Sequence, residues 1–189
     1  MVRFIKSKQY PSYLDQNHDE ISALIEFLSD KNIKTIIEIG THRGGTAELW
    51  AELVKPDGMV YCIDFFKDDP DYRRSDLINY IVEIKGNSRD IDTINKLNNF
   101  LNDKVDMLFI DGDHSYDGVK TDYFNYKGFV RDKGFIVFHD IVKNERTMSW
   151  GTYVWKFWNE IKDDNCIEFI SDVADPCPMG IGIKLKRNI

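Results

Sequence analysis

Runs of basic residues are missing from this 189-residue chain: 25 Lys and Arg stand against 32 Asp and Glu, for a formal charge of -7. The cations are scattered singly among acids. Nucleic-acid binding needs a cationic surface to neutralise phosphates, so that class is disfavoured and the charges read as a solvated acidic surface. Also missing is any stretch near the ~18 apolar residues of a membrane span. The segment from Met1 to Lys8 has charges but no apolar core behind them, so it does not read as a signal peptide. The three cysteines, Cys62, Cys166 and Cys177, are odd in number and widely spaced. They make no disulfide framework or zinc pattern and read as small core residues in a reducing compartment, which points to the cytoplasm. No internal repeat, low-complexity tract or flexible linker divides the sequence. At 42% hydrophobic and 30% charged, it reads as one well-cored globular domain over 1–189, with an irregular lead-in over 1–17.

What is present is alternation of two periodicities. Ile21, Leu24, Ile25 and Leu28 form a helical stripe. A β-branched run, Thr35 to Ile39, stops at Gly40; Gly44 and Gly45 open a helix through Leu49, Trp50 and Leu53; Met59 to Ile63 closes in Asp64. After a polar excursion over 65–76 with aromatic anchors, which reads as a lid, binding loop or subunit contact, come a strand Ile81–Lys85 and a helix marked by Ile91, Ile94, Leu97 and Leu101. The strand Val105–Ile110, a helix over 116–130 and the strand Gly134–Phe138 follow. Trp150, Val154, Phe157, Trp158 and Ile161 stripe another helix, before strands near Cys166–Ser171 and Gly180–Leu185. Strands alternating with helices predict an α/β fold: a doubly wound, Rossmann-like, mostly parallel sheet of seven strands with helices on both faces. The last two strands have no helix between them, so the final strand should run antiparallel.

Two strand ends carry the chemistry. Val105–Ile110 runs into Asp111, Gly112, Asp113 and His114, and Gly134–Phe138 ends in His139 and Asp140. Open α/β sheets bind ligands at the carboxyl edge of their strands. If Asp111, His139 and Asp140 converge there, they can hold a divalent cation, with Asp113 and His114 nearby as bases.

A second signal joins the first strand to its helix: Glu38, Ile39, Gly40, Thr41, His42, Arg43, Gly44, Gly45. Glycines let the backbone turn tightly and a ligand come close. The spacing fails the dinucleotide pattern G-x-G-x-x-G. Glu38, two residues before the first glycine, would repel a pyrophosphate but suits a cationic ligand. Asp64 is placed to accept hydrogen bonds from ribose hydroxyls.

With these motifs the chain resembles class I S-adenosylmethionine (SAM)-dependent methyltransferases over residues 20–185. The glycine turn is similar to that of metal-dependent small-molecule O-methyltransferases. The segments Phe109 to Tyr116 and Val137 to Ile141 resemble a bacterial branch associated with sugar and natural-product tailoring. The resemblance implies that Gly40, Thr41 and Gly44 hug the methionine part of SAM, with Glu38 shaping the turn. It further implies that Asp64 holds the ribose, that Asn87 and Ser88 lie beside adenine, and that Asp111 sits near both cofactor and metal. Many class I enzymes have glycine where this chain has Thr41, although the O-methyltransferase branch tolerates other residues there.

Asp111, His139 and Asp140 match the family's metal ligands. Relatives more often carry an acid at the middle position. Histidine there either shifts preference from Mg²⁺ toward Mn²⁺, Fe²⁺ or Zn²⁺ or leaves His139 as a hydrogen-bonding base. The implied reaction is SAM-dependent methylation of a hydroxyl on a small molecule, a sugar or glycosylated metabolite by family analogy, with His114 narrowly preferred over Asp113 as base. The partner is then a small-molecule acceptor, not a nucleic acid or membrane, and a homo-oligomer stays open. Two alternatives remain: an NAD(P)-dependent oxidoreductase, against which the glycine spacing and Glu38 count, and a non-catalytic SAM-binding protein, which need not keep five polar residues at two strand ends. A nucleic-acid or protein methylator is less favoured on charge and length, and no Asn-Pro-Pro-Tyr-type segment follows the fourth strand. His42 and His18 read as loop and helix-start residues, and Tyr116 as either a substrate contact or a helix start. Trp150, Trp155 and Trp158 read mostly as core, with Trp150, Gly151 and Thr152 as a conceivable pocket border. The loop over 172–180 reads as a rigid wall of the acceptor pocket.

Overall fold

The computed structural model describes residues 14–65, 72, 74, 76–171 and 178–187. Most of the lead-in, most of the polar excursion over 65–76, and residues 172–177 of the last loop, with Cys177, lie outside the described residues.

Seven strands form one sheet in the order β3-β2-β1-β4-β5-β7-β6. They are β1 (Thr35–Ile39), β2 (Met59–Asp64), β3 (Ile81–Lys85), β4 (Val105–Ile110), β5 (Val130–His139), β6 (Ile167–Phe169) and β7 (Ile181–Leu185). The first five are parallel. β7 runs antiparallel to both β5 and β6, so it is inserted between them. The expected mostly parallel sheet with an antiparallel last strand is therefore found.

Period-two alternation sends successive strand residues to opposite faces. Ile36, Val60, Cys62, Met107, Phe109 and Val137 pack beneath α1 (His18–Leu28) and α2 (Gly45–Val54). Ile37, Ile39, Ile63, Leu108, Ile110, Ile136 and Phe138 pack on the other face against α3 (Ile91–Phe100), α4 (Tyr116–Tyr126) and α6 (Val154–Ile161). Central parallel strands covered on both sides explain the nearly continuous apolar runs of β1 and β4. Among the described residues no helix is long and apolar enough to cross a membrane.

Four boundaries differ from expectation. The helix over 116–130 ends at Tyr126 and gives way to a 3₁₀ turn, Lys127–Phe129. β5 starts at Val130 rather than Gly134, its pairing with β4 shifting between Val105 and Met107. The expected Trp150 helix is two helices: α5 (Glu145–Ser149), then α6. Asn144 and Thr147 cap α5 reciprocally, and Gly151 at φ 72° breaks the chain before α6. Trp150 is accordingly 59% exposed, whereas Trp158 is core. Cys166 precedes β6 and is half-buried, whereas Cys62 is buried within β2.

Candidate functional site

The carboxyl ends of β1, β2, β4 and β5 open onto one cavity of about 610 Å³, within the range of small-molecule sites. Gly40, Thr41, Asp64, Asn87, Ser88, Asp111, Asp113, His114, His139 and Asp140 all line it.

The turn after β1 is built around Gly40. Its φ is +87°, and a Cβ there would lie 2.1 Å from the backbone oxygen of Asp111. The missing side chain lets the first strand end pass directly over the fourth. Thr41 and His42 N–H groups, each 2.8 Å away, donate to Asp64 Oδ2. One carboxylate oxygen therefore ties the turn to the end of β2. Gly44, at φ +86°, does not line the cavity; its missing Cβ makes room for the Tyr72 ring, and Gly45 and Thr46 line the wall instead.

Glu38 also lies off the cavity. It is fully buried on the α2 face of β1, where Trp50 Nε1–H donates to Oε1 at 2.9 Å and the Cys62 thiol donates to Oε2 at 3.4 Å. Burial pushes its carboxyl up to about 7, with contacts from Thr46, Thr41, Cys62 and Trp50 opposing the rise. It braces the turn from below.

At the other end, the two strand termini meet. His139 Nδ1 is 3.0 Å from Asp111 Oδ1 and 3.5 Å from Asp140 Oδ1. One donor atom from each of these three residues falls within 4.8 Å of the others. All three side chains are almost buried, at 5–8% exposure. Asp140 reaches this place from a left-handed backbone, φ 61°. His114 Nδ1 contacts Asp140 Oδ2 at 2.5 Å, and its Nε2 is 3.7 Å from Asp111 Oδ1. Burial would lower the His139 pKa, but Asp111 and Asp140 outweigh it and raise it to about 9. The same opposition leaves His114 raised, held by Asp140 and Asp111 against burial. Asp140 is held below the usual carboxylate range by His114 and His139, against the upward push of burial.

The donor set suits a hard or borderline divalent ion: two carboxylate oxygens and one imidazole nitrogen. Adjacent ligands of an octahedral ion bound at ~2.1 Å lie roughly 3 Å apart, close to the separations found. His139 Nδ1, facing both carboxylates, is the atom over which an ion and a proton would compete. His139 Nε2 is buried with no hydrogen-bond partner among the described residues.

Asp113 is otherwise engaged. It accepts from the Ser115 N–H at 2.9 Å and pairs with Arg89 at 3.0 Å. These contacts outweigh burial and lower its pKa, which makes it a weak base. His42 is exposed at the rim, 2.9 Å from Asp15. His18 is the first residue of α1, behind the Asn17 cap. Tyr116 starts α4 and donates to Glu160 on α6 instead of entering the cavity.

Other contributors lie outside the two motifs: Trp150 and the loop carrying Met179 are expected at the pocket from the sequence, whereas Gln16, Glu20, Arg146 and Asp122 carry no sequence signal. Gln16, from the irregular lead-in, donates from Nε2 to Asp111 Oδ2 at 2.7 Å. Arg146 and Trp150 line the cavity as a stacked pair, the guanidinium 4.4 Å from the ring centre, while Gly151 and Thr152 stay off it. Glu20, buried in α1, accepts from the N–H groups of Ser171 and Gly180 and so pins both sides of the last loop beside Met179, which lines the cavity. Asp122, beneath the cavity floor, accepts from Ser88. Gln16 and Glu20 lie far from these strand ends in sequence and are brought to them by folding.

Residues 37–141 match the profile of a family described as a methyltransferase domain. An uncharacterized protein of Acanthamoeba polyphaga mimivirus is 28% identical over 145 residues, covering 71% of this chain and 62% of that protein. The chain thus spans less than two thirds of that relative's length. Among solved structures, an O-methyltransferase from Bacillus cereus in complex with SAH is similar at TM-score 0.69 and 16% identity, covering 93% of this chain and 84% of that one. MycE methyltransferase of the mycinamycin biosynthetic pathway, in complex with Mg, SAH and mycinamycin VI, is similar at TM-score 0.57 and 17% identity, covering 87% of this chain and 49% of that one. At these identities the likeness is one of fold.

Proposed function

The chain belongs to the methyltransferase-domain family, and from that premise we propose that it transfers the methyl group of SAM to a hydroxyl of a small molecule, with a divalent cation assisting. The observation that carries this reading is the meeting of the glycine turn with the Asp111, His139 and Asp140 cluster in one cavity. Family membership sets aside the oxidoreductase alternative.

In this reading the Gly40 turn receives the methionine portion of SAM, Asp64 the ribose, and Asn87 and Ser88 the adenine. The acceptor oxygen attacks the methyl carbon in line as the carbon–sulfur bond breaks. The electron pair of that bond stays on sulfur, leaving S-adenosylhomocysteine, and the hydroxyl proton passes to a base. Asp111, His139 and Asp140 would hold the cation, which when bound lowers the pKa of an acceptor hydroxyl and fixes its oxygen. His114 is the favoured base, because Asp113 is committed to Arg89 and Ser115. Burial lowers the His114 pKa, but Asp140 and Asp111 outweigh it and raise it, so these neighbours favour the charged form. A cation held by Asp111 and Asp140 would oppose that rise, and His114 would serve as the base in its neutral form.

A sugar or glycosylated metabolite is the proposed acceptor. The exposed face of Trp150 on the cavity wall suits stacking of a ring, and the MycE structure holds a mycinamycin. Titration calorimetry with SAM and S-adenosylhomocysteine on EDTA-treated protein, repeated with Mg²⁺ and Mn²⁺, tests the reading. Micromolar nucleoside binding supports the cofactor assignment, and a metal heat abolished in Asp111→Ala places the ion. Absence of binding by either nucleoside overturns the reading.

A further inference from the structure

Two polar side chains on the cavity wall have their hydrogen-bonding sense fixed by protein neighbours, one by Asp122 behind the wall and the other by the Arg89 backbone. The Ser88 hydroxyl donates to Asp122 Oδ1 at 2.6 Å, a length typical of O–H···O⁻ bonds. Its proton committed, the hydroxyl offers the cavity only lone pairs. Asp122 is fully buried, and its Oδ2 has no hydrogen-bond partner among the described residues. That oxygen lies beneath Gly112, 3.6 Å from where a Cβ would stand. The Ser88 backbone is anchored as well, its carbonyl accepting from Tyr126 Oη at 2.8 Å. Both anchors come from α4, so Ser88 is held by a rigid element.

Asn87, beside it on the wall, has the opposite polarity. Its Oδ1 accepts from the Arg89 N–H at 3.1 Å. That bond assigns which end of the amide is oxygen and leaves the NH₂ as the function it can offer the cavity. An acceptor next to a donor matches the amino-pyrimidine edge of adenine, where N6 donates and N1 accepts. It mismatches hypoxanthine, where O6 accepts and N1–H donates: every polar contact would then set like against like.

We propose that Asp122 is a positioning residue that, by claiming the Ser88 proton, makes this site select a 6-aminopurine nucleoside over its 6-oxo counterpart. This rests on the SAM reading above and adds a specificity to it. A site built to hydrogen-bond a group discriminates strongly when the group is inverted, because buried partners are then left unpaired.

The experiment is calorimetric titration of S-adenosylhomocysteine and its deaminated analogue S-inosylhomocysteine into wild type, Ser88→Ala and Asp122→Asn. Wild type is expected to bind the adenosyl compound at least tenfold more tightly. Ser88→Ala, a small change on a half-buried wall, should bring the ratio to within about threefold. Asp122→Asn, whose amide can donate to Ser88 and free the hydroxyl proton, should reduce it likewise if it folds. A merely structural role would weaken both ligands together and leave the ratio unchanged. Equal affinities in wild type, or an unchanged ratio in Ser88→Ala, overturn this selectivity while leaving the SAM reading intact. Failure of both nucleosides to bind wild type overturns the two together.

Discussion

Replacing Glu38 by Gln should flatten the pH dependence of stability. Glu38 is wholly buried, and its carboxyl is raised from 4.5 to about 7. A carboxyl whose folded pKa is raised binds its proton more tightly folded than unfolded. Its contribution to stability is therefore fully present below pH 4.5 and lost as pH rises through 7. The rise of about 2.5 units corresponds to about 3 kcal/mol at about 1.4 kcal/mol per unit. Roughly three quarters of that change falls between pH 5 and 8. Gln keeps an oxygen to accept from Trp50 Nε1, now 2.9 Å from Oε1, but carries no titrating proton. Urea unfolding of wild type and Glu38→Gln at pH 5 and pH 8 measures the difference, and other titrating groups cancel between the two proteins. Wild type should lose about 2 kcal/mol more than the variant over that range, with the denaturant slope unchanged. A difference below about 0.5 kcal/mol would show that Glu38 is ionised or solvated in the fold, and the account of the brace under the glycine turn would be wrong.

Other consequences are equally direct. Gly40→Ala places a methyl 2.1 Å from the Asp111 carbonyl in a left-handed backbone; a loss of at least about 3 kcal/mol is expected from strain and overlap, and an unchanged urea midpoint would contradict it. Mn²⁺ at a hundredfold excess over Kd should stabilise EDTA-treated protein by about 2.7 kcal/mol, or roughly 5–10 °C in Tm. Asp140→Ala should abolish that shift, and a shift retained in the variant would move the ion elsewhere. Glu20→Ala strands the Ser171 and Gly180 N–H groups, which lie 3.0 and 2.8 Å from its oxygens. About 2–4 kcal/mol should be lost, with faster hydrogen exchange at Gly180, and full protection of that amide would refute the role as a pin.

The sequence by itself determined the alternation of strands and helices, because each period-two and period-3.6 pattern is local. It also set Asp111, His139 and Asp140 at the ends of two strands, while their meeting depends on β4 and β5 pairing side by side, which the order of the sheet decided. Asp64 was legible as a strand end as well, whereas Asn87 and Ser88 were named by the family resemblance. Boundaries were less so: Val130 joins β5 through pairing with Val105, and Gly151 divides what reads as one helix. Only the tertiary structure decided that Glu38 braces the turn without lining the cavity, since a strand residue's face depends on the helix packed against it, and that Gly44 faces the Tyr72 ring. Only it brought Gln16 to Asp111, 95 positions away, and Asp122 to Ser88, 34 away. Such contacts leave no periodic trace, because the energy that favours them exists only after the sheet has formed and water has left.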